Sequence, residues 1–130
     1  MQEIAKNLCL AGVKALTIHD SKNVTTMDLG GQFYLAEDQI GQNRAEATLP
    51  RLKALNPTVR VNAVATEDVS GLVDGHNVVV LCDMMLDTSL NISEKCRSNG
   101  IKLLVADVSY HPNFNSTFST ELCLLVVLEL

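Results

Sequence analysis

Three aspartates stand where apolar runs stop: Asp20 after ALTIH, Asp83 after VVVLC and Asp107 after IKLLVA. If those runs are strands, each carboxylate lies at the rim of the crevice beyond the strand ends, where open α/β sheets bind ligands. A carboxylate in that position accepts hydrogen bonds from a ribose hydroxyl pair or helps to hold a metal ion. Ribose contact is only half of a nucleotide site. The phosphates must be met by a glycine-rich turn leading into a helix, where free N–H groups and the helix dipole favour anions. Gly30 and Gly31 stand in a loop that does not open a helix directly, so they do not supply that turn. Taken singly, each acid has the ordinary use of capping N–H groups in the turn that follows it.

The other reactive side chains form no constellation. His19, His76 and His111 are spread over three segments with no acid or cysteine at ligand spacing, which points to surface or internally bonded histidines rather than a metal or acid–base site. No G-x-S-x-G elbow occurs, and no cysteine has a histidine beside it. Cys9, Cys82, Cys96 and Cys123 are far apart among apolar neighbours, without C-x-x-C spacing. Buried reduced thiols in a protein of the cytoplasm and nucleus are the plain reading. Met84 and Met85 read as filling of irregular core space.

Composition narrows the classes further. With 130 residues, 47% hydrophobic and 19% charged, the chain has enough apolar surface for one folded domain and too little charge for a disordered one. A formal charge of −5 with no Lys/Arg cluster gives no field for a phosphate backbone, so nucleic acid is not an expected partner. The apolar run at 123–130 is interrupted by Glu129 and too short to span a bilayer, so no membrane is expected either.

The elements that must position these residues follow from periodicity. Residues 3–10 read as an amphipathic helix with Ile4, Leu8 and Ala11 on one face and Gly12 as its left-handed stop. That helix lacks an N-cap, and we expect a strand and turn to be missing before Met1, which would leave sheet edges exposed. Residues 15–20 form a strand, and 21–31 a loop. A helix spans 44–55, kinked or restarted at Pro50. Strands follow at 59–64 and 78–82, the second covered on both faces, then a helix at 88–98 closed by Asn99-Gly100, and a strand at 101–106. This alternation is that of a doubly wound α/β sheet. Beyond Asp107 no clear period remains and no turn chemistry ties the last apolar run to the sheet, so residues 1–108 read as a partial domain and 109–130 as a divergent tail.

Four stretches carry a resemblance: EIAKNLCLAGVKALTIHD (3–20), DLGGQFYLAEDQIGQNRAEATLPRLKALNP (28–57), VVVLCD (78–83) and CRSNGIKLLVADV (96–108). In order and spacing they resemble the adenylation domain of the ubiquitin-activating (E1) enzymes, which are related to the bacterial ThiF and MoeB adenylyltransferases. The resemblance implies a Rossmann-like, doubly wound, mostly parallel sheet of ThiF/MoeB type, incomplete at its N-terminus. It also implies a nucleotide site in which Asp20 takes the place of the ribose-binding acid, Arg44 that of the phosphate-binding lysine, and Asp83 that of the acid that helps to hold magnesium. The family loop S-N-L-x-R-Q, whose asparagine and arginine contact phosphate, is matched by Asp28 and Gly31 ahead of Gln32. A carboxylate and a glycine cannot take over from an amide and a guanidinium facing polyphosphate.

Asp20, Arg44 and Asp83 are therefore expected as a remnant nucleotide site, with no catalytic residue and no resident metal. No cofactor is expected in isolation, although ATP and magnesium serve the intact family. The pattern is most similar to the first, non-catalytic half of ubiquitin E1. VTTMDLGGQF and NRAEATLPRLKALNP resemble the small subunit of SUMO E1 almost as well, and IHD, FYLAEDQIG and NGIKLLVADV favour the former. The implied partners are a catalytic E1 half and ubiquitin or a ubiquitin-like protein. Two other readings stand beside this one: an adenylyltransferase that completes its ATP site with a partner chain, and a non-functional truncated product.

Overall fold

The computed structural model describes residues 2–66, 68–82 and 84–106, and the backbone of 124–129. The described elements are helix α1 (Gln2–Leu10), strand β1 (Ala15–His19), helix α2 (Thr26–Gly31), helix α3 (Arg44–Leu55), strands β2 (Arg60–Val64) and β3 (Val78–Cys82), helix α4 (Leu86–Ser98), and strands β4 (Lys102–Ala106) and β5 (Leu124–Glu129). Short 3-10 turns lie at Glu37–Gln39 and Ser70–Val73.

The sheet order is β2-β1-β5-β3-β4. β1 pairs in parallel with β2, and β3 with β4. β5 runs antiparallel to both β1 and β3, so the four earlier strands all point one way. Side chains alternate across a strand, and β3 shows how this builds three layers. Val78, Val80 and Cys82 join Leu16, Ile18 and Val61 beneath α1 and α3, around Ala5, Cys9 and Leu52. Val79 and Leu81 face the other way, against Ile92 and Cys96 of α4 and Val73 of the second 3-10 turn. The apolar run VVVLC is thus buried on both faces, as expected for a central strand.

Helix ends follow the turn chemistry in the sequence. Gly12 takes φ +78° after α1, and its N–H reaches the Cys9 carbonyl at 3.1 Å. After α4, Gly100 has φ +69°. Its N–H bonds the Arg97 carbonyl at 3.3 Å, and the Ile101 N–H bonds that of Cys96 at 2.8 Å, the paired closure of a Schellman turn.

Three expectations are corrected. Residues 21–31 are not all loop, because Thr26–Gly31 is helical. There the Asp28 carboxylate reaches back to the Thr25 N–H at 2.7 Å, giving the turn an acid three residues after its cap. Of the two outcomes expected at Pro50, a kink or a restart, the restart does not occur: α3 runs through it as one helix. The edges of β1 and β3 that face the middle of the sheet are not exposed, since β5 pairs five residues with each.

Candidate functional site

The site grows from the end of β1. Asp20 follows the strand directly, with its N–H on the Val64 carbonyl at 3.3 Å, so pairing with β2 fixes where its carboxylate points. The chain then turns back beside the start of α3. Val24 N–H bonds the Gln42 carbonyl at 2.7 Å, Gly41 N–H the Val24 carbonyl at 2.9 Å, and Arg44 N–H the Lys22 carbonyl at 3.0 Å. Asn43 locks this junction. Its side-chain oxygen accepts from the N–H groups of Ala45 and Glu46 at 2.9 and 3.2 Å, and its amide donates to the Asp20 carbonyl at 2.6 Å. An N-cap thereby becomes the clamp that holds the first residue of α3, Arg44, against the end of β1.

Arg44 bridges two carboxylates. Its Nη2 donates to Asp20 Oδ1 at 3.1 Å and its Nη1 to Asp28 Oδ1 at 3.1 Å. Its Nε lies 2.9 Å from Asp20 Oδ2, an ion-pair contact without the alignment of a hydrogen bond. Asp20 Oδ1 also accepts the Lys22 N–H at 2.9 Å. Asp28 Oδ2 accepts the N–H and hydroxyl of Thr25, both at 2.7 Å, and Gln32 Nε2 approaches Oδ1 at 3.5 Å. Burial pushes the Asp28 carboxyl up, but the Thr25 donors and the Arg44 guanidinium outweigh it and hold the group below its ordinary value.

Asp20, Asp28 and Arg44 keep only 1%, 4% and 6% of their surface exposed, so an incoming ligand has almost no access to them. Gln2, Asp20, Gln32, Arg44 and Thr48 line a small recess floored by Ala5, Ile18, Ala45 and Leu52. It has room for one water and far too little for a nucleotide. Gln2 Nε2 bridges Gln32 Oε1 at 2.6 Å and the Thr48 hydroxyl at 3.0 Å, tying α1 to α2 and α3 over the same recess.

The structure therefore brings Asp20 and Arg44 together as the sequence suggests. Asp83, and with it Asp107, His111 and Cys123, lies outside the described residues. Asp28 is the participant that spacing alone missed. It stood out only as a misplaced carboxylate in a phosphate loop, while the T-x-x-D pattern from Thr25 to Asp28 was the signal for its helix cap. His19 is buried with Nε2 on the Thr66 carbonyl, an internally bonded histidine. Cys9, Cys82 and Cys96 are buried, and none of them is in a disulfide among the described residues. Among the described residues no group of His, Cys, Asp and Glu is arranged to hold a metal ion, and no helix is long and apolar enough to cross a membrane.

Comparison with known proteins sets this geometry in a family. The model of the ThiF family matches residues 2–122. Ubiquitin-like modifier-activating enzyme 1 of Oryctolagus cuniculus is 50% identical over 105 residues, covering 81% of this chain and 10% of that protein. Ubiquitin-like modifier-activating enzyme 6 of Homo sapiens is 45% identical over 115 residues, covering 82% of this chain and 11% of the relative. The chain thus spans about a tenth of the length of these relatives. In three dimensions it is similar to E. coli tRNA N6-threonylcarbamoyladenosine dehydratase, TcdA, solved in complex with AMP. The TM-score is 0.67 at 24% identity, over 78% of this chain and 43% of that one, a likeness of fold alone.

Proposed function

The chain belongs to the ThiF family, and from that premise we propose that it acts as a non-catalytic adenylation-fold half of a ubiquitin-type activating enzyme. In this role it supports a catalytic half through protein contacts and binds no nucleotide itself. One observation carries the reading: the guanidinium at the phosphate-binding position is spent on two buried carboxylates. Among the described residues, the recess beside Asp20 and Arg44 is too small for a nucleotide. Asp20 Oδ1 accepts from Arg44 and the Lys22 N–H, its Oδ2 lies in ion-pair contact with Arg44, and the residue is buried away from an incoming ribose; Asp28 puts negative charge where phosphate would lie. Asp20, Arg44 and Asp83 are then a remnant nucleotide site, and the present work of Asp20 and Arg44 is to hold β1, α2 and α3 in register. The partners that follow are a catalytic E1 half and, through it, ubiquitin or a ubiquitin-like protein in the cytoplasm and nucleus.

The test is to mix the purified chain with the catalytic half of ubiquitin-like modifier-activating enzyme 1 and follow both association and ATP–pyrophosphate exchange. Co-elution at micromolar concentration, with no exchange by the chain alone, is the expected result. Failure to associate, or exchange by the isolated chain with ubiquitin, overturns the proposal.

A further inference from the structure

We propose that Asp28 is an intramolecular anion that occupies Arg44 in place of a ligand's oxyanion, so that the crevice beyond β1 is shut by the chain's own carboxylate. The inference rests on the reading of this crevice as a former nucleotide site, and it names what closes it.

Guanidinium binds carboxylate and phosphate oxygens with the same planar set of donors. Arg44 turns Nη2 and Nε toward Asp20, which leaves Nη1 as the donor aimed away from β1, and that donor is on Asp28. A loose surface acid could not hold this place against a multiply charged competitor. Asp28 is fixed there by the Thr25 N–H and hydroxyl and by its position within α2. Its carboxyl is held below the usual range, so the stand-in charge persists at neutral pH. Beside it, Asp20 Oδ2, Arg44 Nε and Gln2 Oε1 are buried without hydrogen bonds and belong to residues lining the recess. The polar lining of a binding site has therefore been kept while its volume has been closed. Loss of the Asp28 carboxylate then leaves a cationic Nη1 without its partner, with the place the carboxylate vacated as the room an oxyanion oxygen would take.

The test uses inorganic pyrophosphate as the probe, titrated calorimetrically into the whole chain and into Asp28→Ala. The expected result is saturable binding by Asp28→Ala, no saturable heat for the wild type at about ten times the pyrophosphate that saturates the variant, a difference of at least about 1.4 kcal/mol, and loss of the variant's binding in Asp28→Ala/Arg44→Gln. Should Asp28→Ala not fold, Asp28→Asn keeps an oxygen for the Thr25 N–H and is titrated instead. In the wild type, the Arg44 side-chain nitrogen signals in NMR should stay unmoved by pyrophosphate. Wild-type binding equal to that of the variant, a folded variant that binds nothing, or movement of the wild-type Arg44 signals each overturn the inference. Association with the catalytic half is read separately. A folded variant that associates but does not bind pyrophosphate removes Asp28 as the stopper and leaves the proposed function standing, whereas a wild type that does not associate removes the proposed function.

Discussion

Arg44→Met is the substitution that weighs the buried ion group most directly. It keeps an unbranched side chain of similar length and deletes the cation, leaving Asp20 and Asp28 buried with too few donors. Removing one partner of a buried ion pair costs about 3–5 kcal/mol. Here the low end applies, because Asp28 retains the two Thr25 donors and Asp20 the Lys22 N–H. A loss of about 3 kcal/mol in a chain of this size lowers the melting temperature by about 10 °C. The pH dependence has a definite sign. In the wild type the Asp28 carboxyl is depressed from 3.8, so its stabilisation is fully present above that value and is lost as the pH falls below it through the depressed one. In the variant only the Thr25 donors still oppose burial, so the carboxyl moves up from its wild-type position, and protonation relieves the unpaired charge. The deficit should therefore be largest at pH 7 and shrink toward pH 4. Urea denaturation of both proteins at the two pH values measures it. A deficit under about 1 kcal/mol at pH 7, the range of an exposed ion pair, or one that is unchanged at pH 4, refutes the reasoning. Neutralising the whole group as Asp20→Asn/Arg44→Met/Asp28→Asn should recover most of the loss, since no charge is then left buried without a partner.

Asn43→Ala removes the acceptor for two N–H groups of α3 and the clamp on Asp20, and should cost about 1–2 kcal/mol in thermal unfolding. Asn43→Asp, which keeps the cap and loses only the amide donor, should cost less, and an equal loss in both would contradict the assignment. Val126→Pro strikes β5 where it is paired with Ile18 and Val80. Proline is not tolerated inside a central strand, so the urea midpoint should fall steeply, and a midpoint equal to that of the wild type would show that β5 does not hold the middle of the sheet. The Cys9 and Cys96 thiols are pushed up by burial, with Asn56 and Lys95 opposing only in part. Iodoacetamide at pH 8 should label them only when urea unfolds the chain, as mass spectrometry can follow. Stability should decline once the pH rises past 9.0, the ordinary thiol value, where the unfolded thiols ionise first.

Much of the fold could be read from local signals. Helix α3 starts and ends where Asn43 and Asn56-Pro57 say it should, and β3 was marked by five consecutive apolar residues. α4 begins at Leu86, two residues before the expected Thr88. Helix α2 was hidden because Gly30-Gly31 looks like a breaker, while the deciding interaction, Asp28 to the Thr25 N–H, is a cap that outweighs two poor helix formers. β5 was illegible for a different reason. Its place between β1 and β3 is a non-local pairing with partners more than forty residues away, and no turn beside it announces them. At the site, Asp20 and Arg44 were visible by position. Their mutual cancellation through Asp28 was not, because residues 20, 28 and 44 share no period and meet only when the 22–24 and 41–43 segments pair.

The measurement that bears most directly on the central claim is calorimetric titration of the folded chain with Mg-ATP. A buried Asp20–Arg44–Asp28 group with no room beside it should give no saturable heat at millimolar nucleotide. Saturable binding that disappears in Asp20→Ala would show that the strand-end acid still serves a ribose, and the chain would have to be counted among the adenylating members of its family.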